Sequence, residues 1–472
     1  MRKTKIICTL GPACESVDTL KEMMKAGMNC ARFNFSHGTH EDQQRRFELV
    51  KEAKRESGIT VATMIDTKGP EIRLTDIEGG AAFLTDGQTF TLTTEDILGD
   101  KERVSITYKN LVNDLKVGDM VLIDDGLIEL VTEKIEGTEI ICKVIHGGRI
   151  SNHKGVNVPG VQLTMPYISE VDRADIIFGC KLGFDYIAAS FVRCKEDILQ
   201  IRQILDENDS HMQIIAKIEN MEGIHNLDEI LEASDGIMVA RGDMGVEIPF
   251  AEVPALQKCM IKKAVRAGKH VITATQMLES MIHNPRPTRA EAADVANAIY
   301  DGTTAIMLSG ESAAGDYPVE AVRTMSELAQ TTENDIDYRY RMHLYEMECE
   351  QCDDTTKSLA RAVCSIAMEI HAAAIMPVTL SGFTARQVSR YKPDCPIICC
   401  TVKARVCRQL SLYWGVSPVQ IPEAENEEEL LELAVETALK EGYIKKGDKV
   451  VITAGLPLGV SGKTNMIKIV EA

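Results

Sequence analysis

Eight short apolar runs alternate with longer amphipathic stretches between Cys8 and Ser312. Apolar runs that alternate with helical segments are typical of parallel strands joined by helices. Eight such units predict a (β/α)8 barrel, whose active site lies at the C-terminal ends of its strands. The runs are Lys5 to Leu10, Met28 to Phe33, Val61 to Ile65, Phe184 to Ala189, Gln213 to Ala216, Gly236 to Val239, His270 to Ala274 and Thr304 to Leu308.

The alternation is interrupted once, after the third run. Residues 70 to 166 lose helical periodicity and show short alternating stretches separated by Gly and Asp turns. This pattern predicts an inserted small β-barrel domain, with Pro70 and Pro166 at its two hinges. Because the insertion follows the C-terminal end of a strand, it would overhang the active site as a lid.

After a polar and aromatic stretch at residues 333–354 the pattern changes again. It predicts a separate three-layer α/β domain with strands at Ala374 to Leu380, Ile397 to Val402, Val450 and Ile467, and helices at Ser358 to His371, Thr384 to Tyr391 and Leu430 to Lys440. This segment lacks a comparable set of lysines and carboxylates, which favours a regulatory or assembly role. The expected domains are therefore residues 1–69 with 167–337, residues 70–166, and residues 338–472.

Size and charge narrow the class of protein. The 472 residues suggest about three domains, at roughly 150 residues each. The net charge of −19 opposes nonspecific binding to nucleic acid or to an anionic membrane. The spacing of the fourteen cysteines suggests no regular framework for a metal. We therefore expect free thiols in a reducing cytosol. With no signal segment expected at the start, we expect a cytoplasmic protein.

Polar clusters that could perform chemistry follow the predicted strands. Glu219 and Asp243 end the fifth and sixth strands, and two carboxylates on neighbouring strand ends suit Mg²⁺. Each carboxylate could instead form an ion pair with the nearby Lys217 or Arg241, which would be the better interpretation of an isolated Lys-x-Glu. The repetition on adjacent strands favours the metal.

Several cations and oxygens fall at the same ends of the strands. Lys217 would stabilise charge on a transferring phosphoryl group, and Arg32 and Arg73 would add anion contacts. The hydroxyl of Thr275 could orient a carboxylate, relay a proton or only satisfy the backbone. Hard oxygens suited to a monovalent cation come from Asn34, Ser36, Asp66 and Thr67, although Asn34 and Ser36 are also common turn or cap residues.

Five segments carry a further signal when taken together: residues 28–38, 66–73, 214–220, 238–247 and 274–280. As a set they resemble the pyruvate kinase family. The resemblance covers the barrel and the insertion in order, and the C-terminal segment has the matching length and layout. It implies transfer of the phosphoryl group of phosphoenolpyruvate to ADP, which gives pyruvate and ATP at the last step of glycolysis. Mg²⁺, with Mn²⁺ as a substitute, and K⁺ would be the cofactors.

The resemblance also assigns roles to individual residues. Glu219 and Asp243 would bind Mg²⁺, and Lys217, Thr275 and Arg73 would be catalytic. Substrate contacts would come from Arg32, Lys217, Thr275 and the segment Gly242-Asp243. Nucleotide contacts would come from Asn34, His37, Arg73 and Lys154, and the K⁺ site from Asn34, Ser36, Asp66 and Thr67. A lone histidine such as His37 is otherwise more often structural. The carboxylate of Glu71 predicts dependence on K⁺, since potassium-independent members tend to carry lysine there.

The C-terminal domain carries a weaker signal. Family members are commonly homotetramers that bind an effector there, and Thr379, Ser381, Gly382 and Thr384 resemble its phosphate-binding loop. A plain strand-to-helix cap explains these residues equally well. The segment Gly455 to Lys463 lacks the Trp and Arg of fructose-bisphosphate-activated animal forms, which leaves a sugar phosphate or a nucleotide as effector. We expect no appended phosphotransfer domain after Ala472.

Two other classes of protein stay open at this point. Metal-enolate barrels that make or break a carbon–carbon bond also use a Glu/Asp pair on adjacent strands, but they need neither a nucleotide lid nor Lys217 beside the metal. A catalytically silent effector-binding protein would have lost some residue of the rim. Phosphoryl transfer to ADP distinguishes both from the kinase.

Overall fold

The structure, a computed structural model, describes residues 1–348, 354–455 and 464–472. The first part of the chain folds as three strands and two helices: β1 Lys5–Thr9, α1 Val17–Ala26, β2 Cys30–Asn34, α2 His40–Ser57 and β3 Ala62–Asp66. The Ser16 hydroxyl accepts the N–H of Thr19 and so caps the start of α1. The strands are buried along nearly their whole length, as expected for parallel strands covered by helices.

The insertion forms its own small β structure. Its elements are β4 Ile72–Arg73, β5 Ala81–Leu84, β6 Thr89–Thr93, β7 Arg103–Ser105, α3 Leu111–Asp114, β8 Met120–Ile123, β9 Ile128–Glu136, β10 Glu139–His146, β11 Gly148–Ser151 and β12 Gly155–Asn157. Seven strands form one sheet in the order β4-β12-β8-β9-β10-β6-β7. A bridge between Leu74 and Ile106 joins its two edges, so the sheet curls into the expected small barrel.

The rest of the barrel follows the lid. Its elements are α4 Glu170–Leu182, β13 Tyr186–Ala189, α5 Lys195–Glu207, β14 Gln213–Ile218, α6 Met221–His225, α7 Leu227–Ala233, β15 Gly236–Ala240, α8 Arg241–Glu247, α9 Val253–Ala267, β16 His270–Ala274, α10 Arg289–Asp301, β17 Ala305–Leu308, α11 Gly310–Ala313 and α12 Pro318–Asp335. Three helices end at glycines with positive φ, which leave the chain free to turn into the next strand: Gly183, Gly268 and Gly302.

Eight parallel strands close the barrel in the order β1-β17-β16-β15-β14-β13-β3-β2. β3 pairs with β13 across the whole inserted domain, with Met64 opposite Tyr186. The first and last strands also pair, with Lys5 opposite Ala305. The predicted (β/α)8 barrel is confirmed, and all C-terminal strand ends meet at one rim.

The C-terminal segment builds a second sheet. Its elements are α13 Tyr338–Glu348, α14 Thr355–Glu369, β18 Ala374–Val378, α15 Phe383–Ser389, β19 Ile397–Thr401, α16 Ala404–Leu410, β20 Val416–Gln420, α17 Glu427–Lys440, β21 Lys449–Ala454 and β22 Met466–Glu471. The sheet runs β20-β19-β18-β21-β22. Helices α14 to α16 cover one face and α17 the other, which gives the three predicted layers.

One strand of this sheet is absent from the sequence prediction. β20 contains Pro418, and a proline normally argues against a strand because it has no N–H to donate. The strand lies at the edge of the sheet and pairs only with β19, with Pro418 opposite Cys399. An edge position tolerates the missing donor. A proline does not by itself mark an edge, since Pro377 lies in the central strand β18 of the same sheet.

The C-terminal domain closes the N-terminal end of the barrel, which we call the floor. Leu412 is fully buried and packs in the core inside the barrel, together with Ile7, Met64 and Ile272. The guanidinium of Arg408 donates to the buried carboxylate of Asp185 over 2.9 Å. The barrel core therefore includes a side chain from another domain.

Two buried lysines also join these domains at the floor. The ammonium of Lys5 donates to the carbonyl oxygen of Val416 over 2.6 Å. That of Lys392 donates to the carbonyl of Gly302, just beyond the end of α10. Burial lowers the pKa of Lys5 to about 7 and holds that of Lys392 well below its usual range. Carbonyl dipoles are thus too weak as partners to offset the desolvation of either ammonium.

Two further sequence expectations bear on these residues. The twelve cysteines within the described part of the chain are all free thiols. Cys349 and Cys352 form a Cys-x-x-Cys pair, which the expectation of irregular spacing overlooked, and both lie outside the described residues. In the described ranges, no helix has the length and apolar character that a bilayer crossing requires.

Candidate active site

A cluster of charged side chains lies where β14, β2 and β3 end at the rim. Lys217 projects from β14 and is nearly buried, with 8 % of its surface exposed. Its ammonium lies 3.0 Å from Glu219 Oε1 and 3.3 Å from Asp66 Oδ1. Burial acts to lower the pKa of Lys217, but these two carboxylates outweigh it and raise the pKa. A permanent positive charge is therefore held at the rim.

Glu219 is completely buried and faces this ammonium. Its Oε2 accepts the backbone N–H of Phe191 over 2.6 Å, whereas its Oε1 has no hydrogen bond within the described part of the chain. Burial raises the pKa of Glu219 to about 8, while Lys217 opposes this rise. A buried carboxylate oxygen that faces an ammonium at 3.0 Å and accepts no aligned hydrogen bond is suited to a cation.

Asp243 lies in the first turn of α8, directly after β15. Its charge raises the pKa of the Glu219 carboxyl, so the two carboxylates are close enough to interact. Arg241 does not pair with Asp243. Its guanidinium donates to Asp294 over 2.8 Å and to the carbonyl of Thr275 over 2.6 Å. Of the two simple ion pairs considered from the sequence, only the one between Lys217 and Glu219 forms.

Arg32 and Asp66 form a buried pair beside Lys217. The Nε of Arg32 donates to Asp66 Oδ2 over 2.6 Å, and its Nη1 donates to the hydroxyl of Thr9 over 2.9 Å. Burial acts to raise the pKa of Asp66, but Arg32 and Lys217 outweigh it and hold that pKa below its usual range. Asp66 is therefore an anion that organises two cations.

The expected potassium ligands lie on the adjacent ends of β2 and β3. Asn34 is the register partner of Asp66 across these strands. The side-chain oxygen of Asn34 accepts the N–H of Ser36 over 3.0 Å, and the hydroxyl of Thr67 accepts the N–H of Ser190 over 3.1 Å. The fold thus brings these polar groups to one sector of the rim.

Thr275 follows β16 with a backbone conformation that is uncommon for threonine, at φ +66°. Its hydroxyl donates to the carbonyl of Ala274 over 2.6 Å and accepts the N–H of Gly242 over 2.8 Å. These contacts tie the end of β16 to the start of α8. The Thr275 hydroxyl and the Gly242 N–H are therefore hydrogen-bond partners of each other.

The lid and the rim enclose a cavity of about 780 Å³. Its walls include Arg73 and Lys154 from the lid and Asp243 from the barrel, but not Lys217. Arg73 donates to Glu71 over 2.6 Å, and Lys154 donates to Asp124 over 2.7 Å. The cavity brings cations of the lid to one carboxylate of the candidate metal pair.

His37 stands apart from this cavity. Its side chain is exposed, and it is not among the residues that line the cavity. Its backbone carbonyl accepts the side chain of Gln43 over 2.7 Å, which holds the turn before α2. The structure therefore gives His37 a contact in the turn and no contact in the cluster.

Sequence reasoning missed Ser190 and Phe191 at the end of β13. The hydroxyl of Ser190 accepts a hydrogen bond from Lys217 over 2.7 Å, and the N–H of Phe191 reaches Glu219. Neither residue is charged, so no chemical signal marks them in the sequence. Only the run of small residues before them indicates a rim position. It also missed a contact between lid and barrel, in which Asn157 donates to Glu247 over 2.8 Å.

The candidate effector loop lies far along the chain, in the C-terminal domain. The hydroxyl of Thr379 accepts the N–H of Gly382 over 3.1 Å, and the hydroxyl of Thr384 hydrogen-bonds that of Thr464 over 3.0 Å. The carbonyl of Ser381 accepts the guanidinium of Arg386 over 3.2 Å. These contacts fit a strand-to-helix cap. Of the closing segment considered from the sequence, residues 456–463 lie outside the described part.

These features define a class of protein: a (β/α)8-barrel enzyme with a lysine and paired carboxylates at its rim, beneath an inserted lid. Comparison with known proteins is more specific. The family model described as pyruvate kinase, barrel domain, matches residues 1–322, and that of the pyruvate kinase alpha/beta domain matches residues 357–470.

Individual relatives agree with the family models. A pyruvate kinase from Geobacillus stearothermophilus is 52% identical over 472 residues, which are 99% of this chain and 80% of the relative. One from Clostridium acetobutylicum is 50% identical over 471 residues, 99% of either chain. The crystal structure of a pyruvate kinase from Cryptosporidium parvum superposes with a TM-score of 0.95 at 41% identity, covering 100% of this chain and 96% of that one.

The chain belongs to the pyruvate kinase family. It is a phosphotransferase that moves the phosphoryl group of phosphoenolpyruvate to ADP and yields pyruvate and ATP. The carbon–carbon bond enzyme and the silent binder are thereby excluded.

Proposed function

We propose that Lys217 stabilises the phosphoryl group during transfer and that Glu219 and Asp243 hold Mg²⁺. The observation that carries this proposal is the buried ammonium of Lys217, 3.0 Å from a Glu219 oxygen that has no hydrogen bond in the described residues. The donor set fits the metal, because Mg²⁺ usually takes one or two carboxylates and leaves positions for substrate oxygens. Mn²⁺ accepts the same ligands.

The chain's own groups would act on the substrate around that site. A bound Mg²⁺ would neutralise charge on phosphoryl oxygens. Arg32 and Lys217 attract the anionic substrate and favour charge that develops on the transferring group. Thr275, the amide of Gly242 and Asp243 would hold the carboxylate end of the substrate. The Thr275 hydroxyl would also relay a proton to the enolate of pyruvate.

We assign a K⁺ site to the oxygens of Asn34, Ser36, Asp66 and Thr67. Asn34 and Asp66 are opposite each other at the ends of β2 and β3, which supports the assignment. Only one of these four groups is charged, and a weakly charged set of hard oxygens suits a monovalent cation. Burial of Asp66 strengthens the field that its charge exerts on a bound ion.

ADP would bind between the lid and the rim. Arg73 and Lys154 line the cavity there and supply positive charge for its phosphates. Arg73 would also act on the transferring group. Asn34 and His37 would complete the nucleotide site, with His37 at the exposed side of the turn before α2. Both lid cations now pair with carboxylates, so phosphate oxygens would replace Glu71 and Asp124 as their partners.

We also propose the division into three domains, which separate hydrophobic cores support. One hydrophobic cluster contains only residues between Ile72 and Val158, which supports a lid at residues 70–166. Two further clusters lie within the C-terminal segment, which supports a domain at residues 338–472. Residues 1–69 and 167–337 then form the barrel.

Assembly and regulation are assigned to the C-terminal domain. We propose a cytoplasmic homotetramer, whose effector, a sugar phosphate or a nucleotide, binds at Thr379, Ser381, Gly382 and Thr384. A helix N-terminus with hydroxyls beside it provides donors for a phosphate. Support for this loop is limited to its sequence, since the hydroxyls of Thr379 and Thr384 already make internal hydrogen bonds.

Direct binding of Mn²⁺ tests the metal assignment separately from turnover. Mn²⁺ bound to the wild-type enzyme, to Glu219→Gln and to Asp243→Asn is measured by electron paramagnetic resonance, with Glu222→Gln, another carboxylate of the cavity wall, as the control. We expect both changes in the pair to weaken binding by about tenfold or more, the range that loss of a metal-site contact usually causes. Unchanged affinity in both would overturn the assignment.

Replacement of Glu71 tests the K⁺ assignment. We predict that the wild-type enzyme needs K⁺ for turnover and that Glu71→Lys removes most of this need, because an ammonium there would supply the missing positive charge. Turnover is measured in tetramethylammonium buffer with and without added K⁺. A wild-type enzyme that is fully active without any monovalent metal cation would refute the site.

A further inference from the structure

Ser190 directly follows β13 and lies between the candidate potassium segment and the candidate catalytic lysine. It is 2% exposed. Its hydroxyl accepts the ammonium of Lys217 over 2.7 Å and donates to the carbonyl of Thr67 over 2.7 Å. The same oxygen lies 3.4 Å from Asp66 Oδ1. One hydroxyl therefore contacts three groups of the site.

The backbone around Ser190 fixes this hydroxyl in place. The N–H of Ser190 donates to the hydroxyl of Thr67 over 3.1 Å, and its carbonyl accepts the hydroxyl of Tyr167 over 3.0 Å. The next residue, Phe191, has φ +54°, which is unusual for a bulky side chain. This conformation accompanies the hydrogen bond from its N–H to Glu219. Backbone strain of this kind is stored where a site needs a fixed geometry.

The approach between the two segments is unusually close. Gly69 has φ +73°, and a Cβ atom there would lie 3.0 Å from the Cβ of Ser190. Only glycine allows this contact without a shift of the chain. The segment of Thr67 is therefore held directly against Ser190.

A buried serine often does no more than satisfy a carbonyl, and Ser312 is such a case at the same end of the barrel. Its hydroxyl donates to the carbonyl of Thr9 over 2.9 Å and makes its other contacts with carbonyls. Ser190 differs because its hydroxyl accepts from a charged ammonium while it donates to a carbonyl. Hydrogen bonds with a charged partner are about twice as strong as neutral ones.

We propose that Ser190 is a positioning residue that couples occupancy of the potassium site to the placement of the Lys217 ammonium. The inference rests on the roles proposed above for Lys217 and for the potassium ligands. A cation held by Asp66 and Thr67 would fix the segment whose Thr67 carbonyl accepts the hydroxyl proton of Ser190. With that proton fixed, the hydroxyl oxygen points at the Lys217 ammonium. Without the hydroxyl, the ammonium moves toward Asp66 and competes with the cation for its carboxylate.

The test compares Ser190→Ala, Ser190→Cys and Ser312→Ala with the wild-type enzyme. Cysteine fills the space of serine but is a weak acceptor, so it separates the hydrogen bond from packing. Measured quantities are kcat at saturating K⁺, the K⁺ concentration for half-activation, the affinity for Mn²⁺ and the thermal midpoint. For both changes at Ser190 we expect kcat to fall about tenfold to a hundredfold and half-activation to need about tenfold more K⁺, as loss of a hydrogen bond to a charged group implies.

The outcomes separate the possible failures. Mn²⁺ affinity and all values for Ser312→Ala should stay within about twofold of wild type, the scale of a change with no specific role. Half-activation by K⁺ that is unchanged in Ser190→Ala, or a Ser190→Cys enzyme as active as wild type, would overturn the coupling and leave the potassium site intact. A wild-type enzyme without K⁺ activation would overturn the potassium site, and this inference with it.

Discussion

The two ends of the barrel bury the same type of side chain with opposite consequences. At the rim, Lys217 is surrounded by Asp66 and Glu219, and its pKa is raised. At the floor, the acceptors that the described residues offer to Lys5 and Lys392 are backbone carbonyls, and the pKa values of both lysines are lowered. Burial is complete or nearly so in all three cases. The partner, rather than the depth, decides whether a buried amine keeps its charge.

This difference fits the work of each end. A phosphoryl group needs a cation that persists at every working pH, and two buried carboxylates secure it. The floor joins two domains through hydrogen bonds and close packing. A buried charge there would only destabilise the folded state, because it must be desolvated. Identical residue types would therefore serve the proposed chemistry at one end and join two domains at the other.

Removal of one lysine from each end should give the largest contrast. We predict that Lys217→Met lowers kcat by about a thousandfold, since one preorganised charge at the reacting group contributes on the order of 3 to 4 kcal/mol. Lys392→Met should keep kcat within about threefold, because it changes no contact at the rim. Both are assayed well below the thermal midpoint of each variant, since Lys217→Met also leaves Asp66 without one partner. Similar losses of kcat in the two variants would contradict the division of roles.

A packing change at the floor should lower the free energy of unfolding without changing substrate binding at the rim. Leu412→Ala removes a fully buried side chain from the core inside the barrel. We predict a loss of about 3 kcal/mol in the free energy of unfolding, measured by urea denaturation, with the KM for phosphoenolpyruvate unchanged. Leu199→Ala, on the exposed side of α5 at 48% exposure, serves as the control and should cost less than about 0.5 kcal/mol. Equal effects at both positions would contradict the claim that Leu412 stabilises the core inside the barrel.

A pH series gives the smallest expected effect. The folded pKa of Lys5, about 7, lies below its ordinary value of 10.5, so the unfolded chain binds more protons between these values. Burial of Lys5 therefore costs most below pH 7, and the cost fades as the pH rises. Relative to Lys5→Met, the wild-type enzyme should gain about 2 kcal/mol of stability between pH 7 and pH 9. A constant difference between the two proteins would show that Lys5 stays charged.

The sequence pattern predicted most of the fold because the strands of the barrel are continuous apolar runs with clear helix ends. The eight strands, the inserted lid and the layered C-terminal domain all follow from periodicity and turn residues. β20 did not, since Ser417, Pro418 and Gln420 leave it without a continuous apolar run. The floor could not be predicted either, because Asp185 and Arg408 are 223 positions apart and nothing local links them.

The candidate site shows the same limit. Lys217 and Glu219 are visible in sequence as charged residues directly after an apolar run. Ser190 and Phe191 are not, because their contribution depends on one hydroxyl and one N–H whose directions only the folded chain defines. The pairing of Arg241 with Asp294 likewise required coordinates.

The inserted lid also affects the order in which the barrel can form. β2 and β3 pair through residues such as Cys30 and Ala62, whereas β3 reaches β13 across more than 120 residues, from Met64 to Tyr186. Each doubling of a flexible loop adds about 0.6 kcal/mol of closure entropy, so this contact costs about 1.2 kcal/mol more than its neighbour. A lid that is already folded brings residues 70 and 166 together and removes most of that cost. Pulse-labelled hydrogen exchange during refolding should therefore find amides of β9 and β10 protected before those of β13.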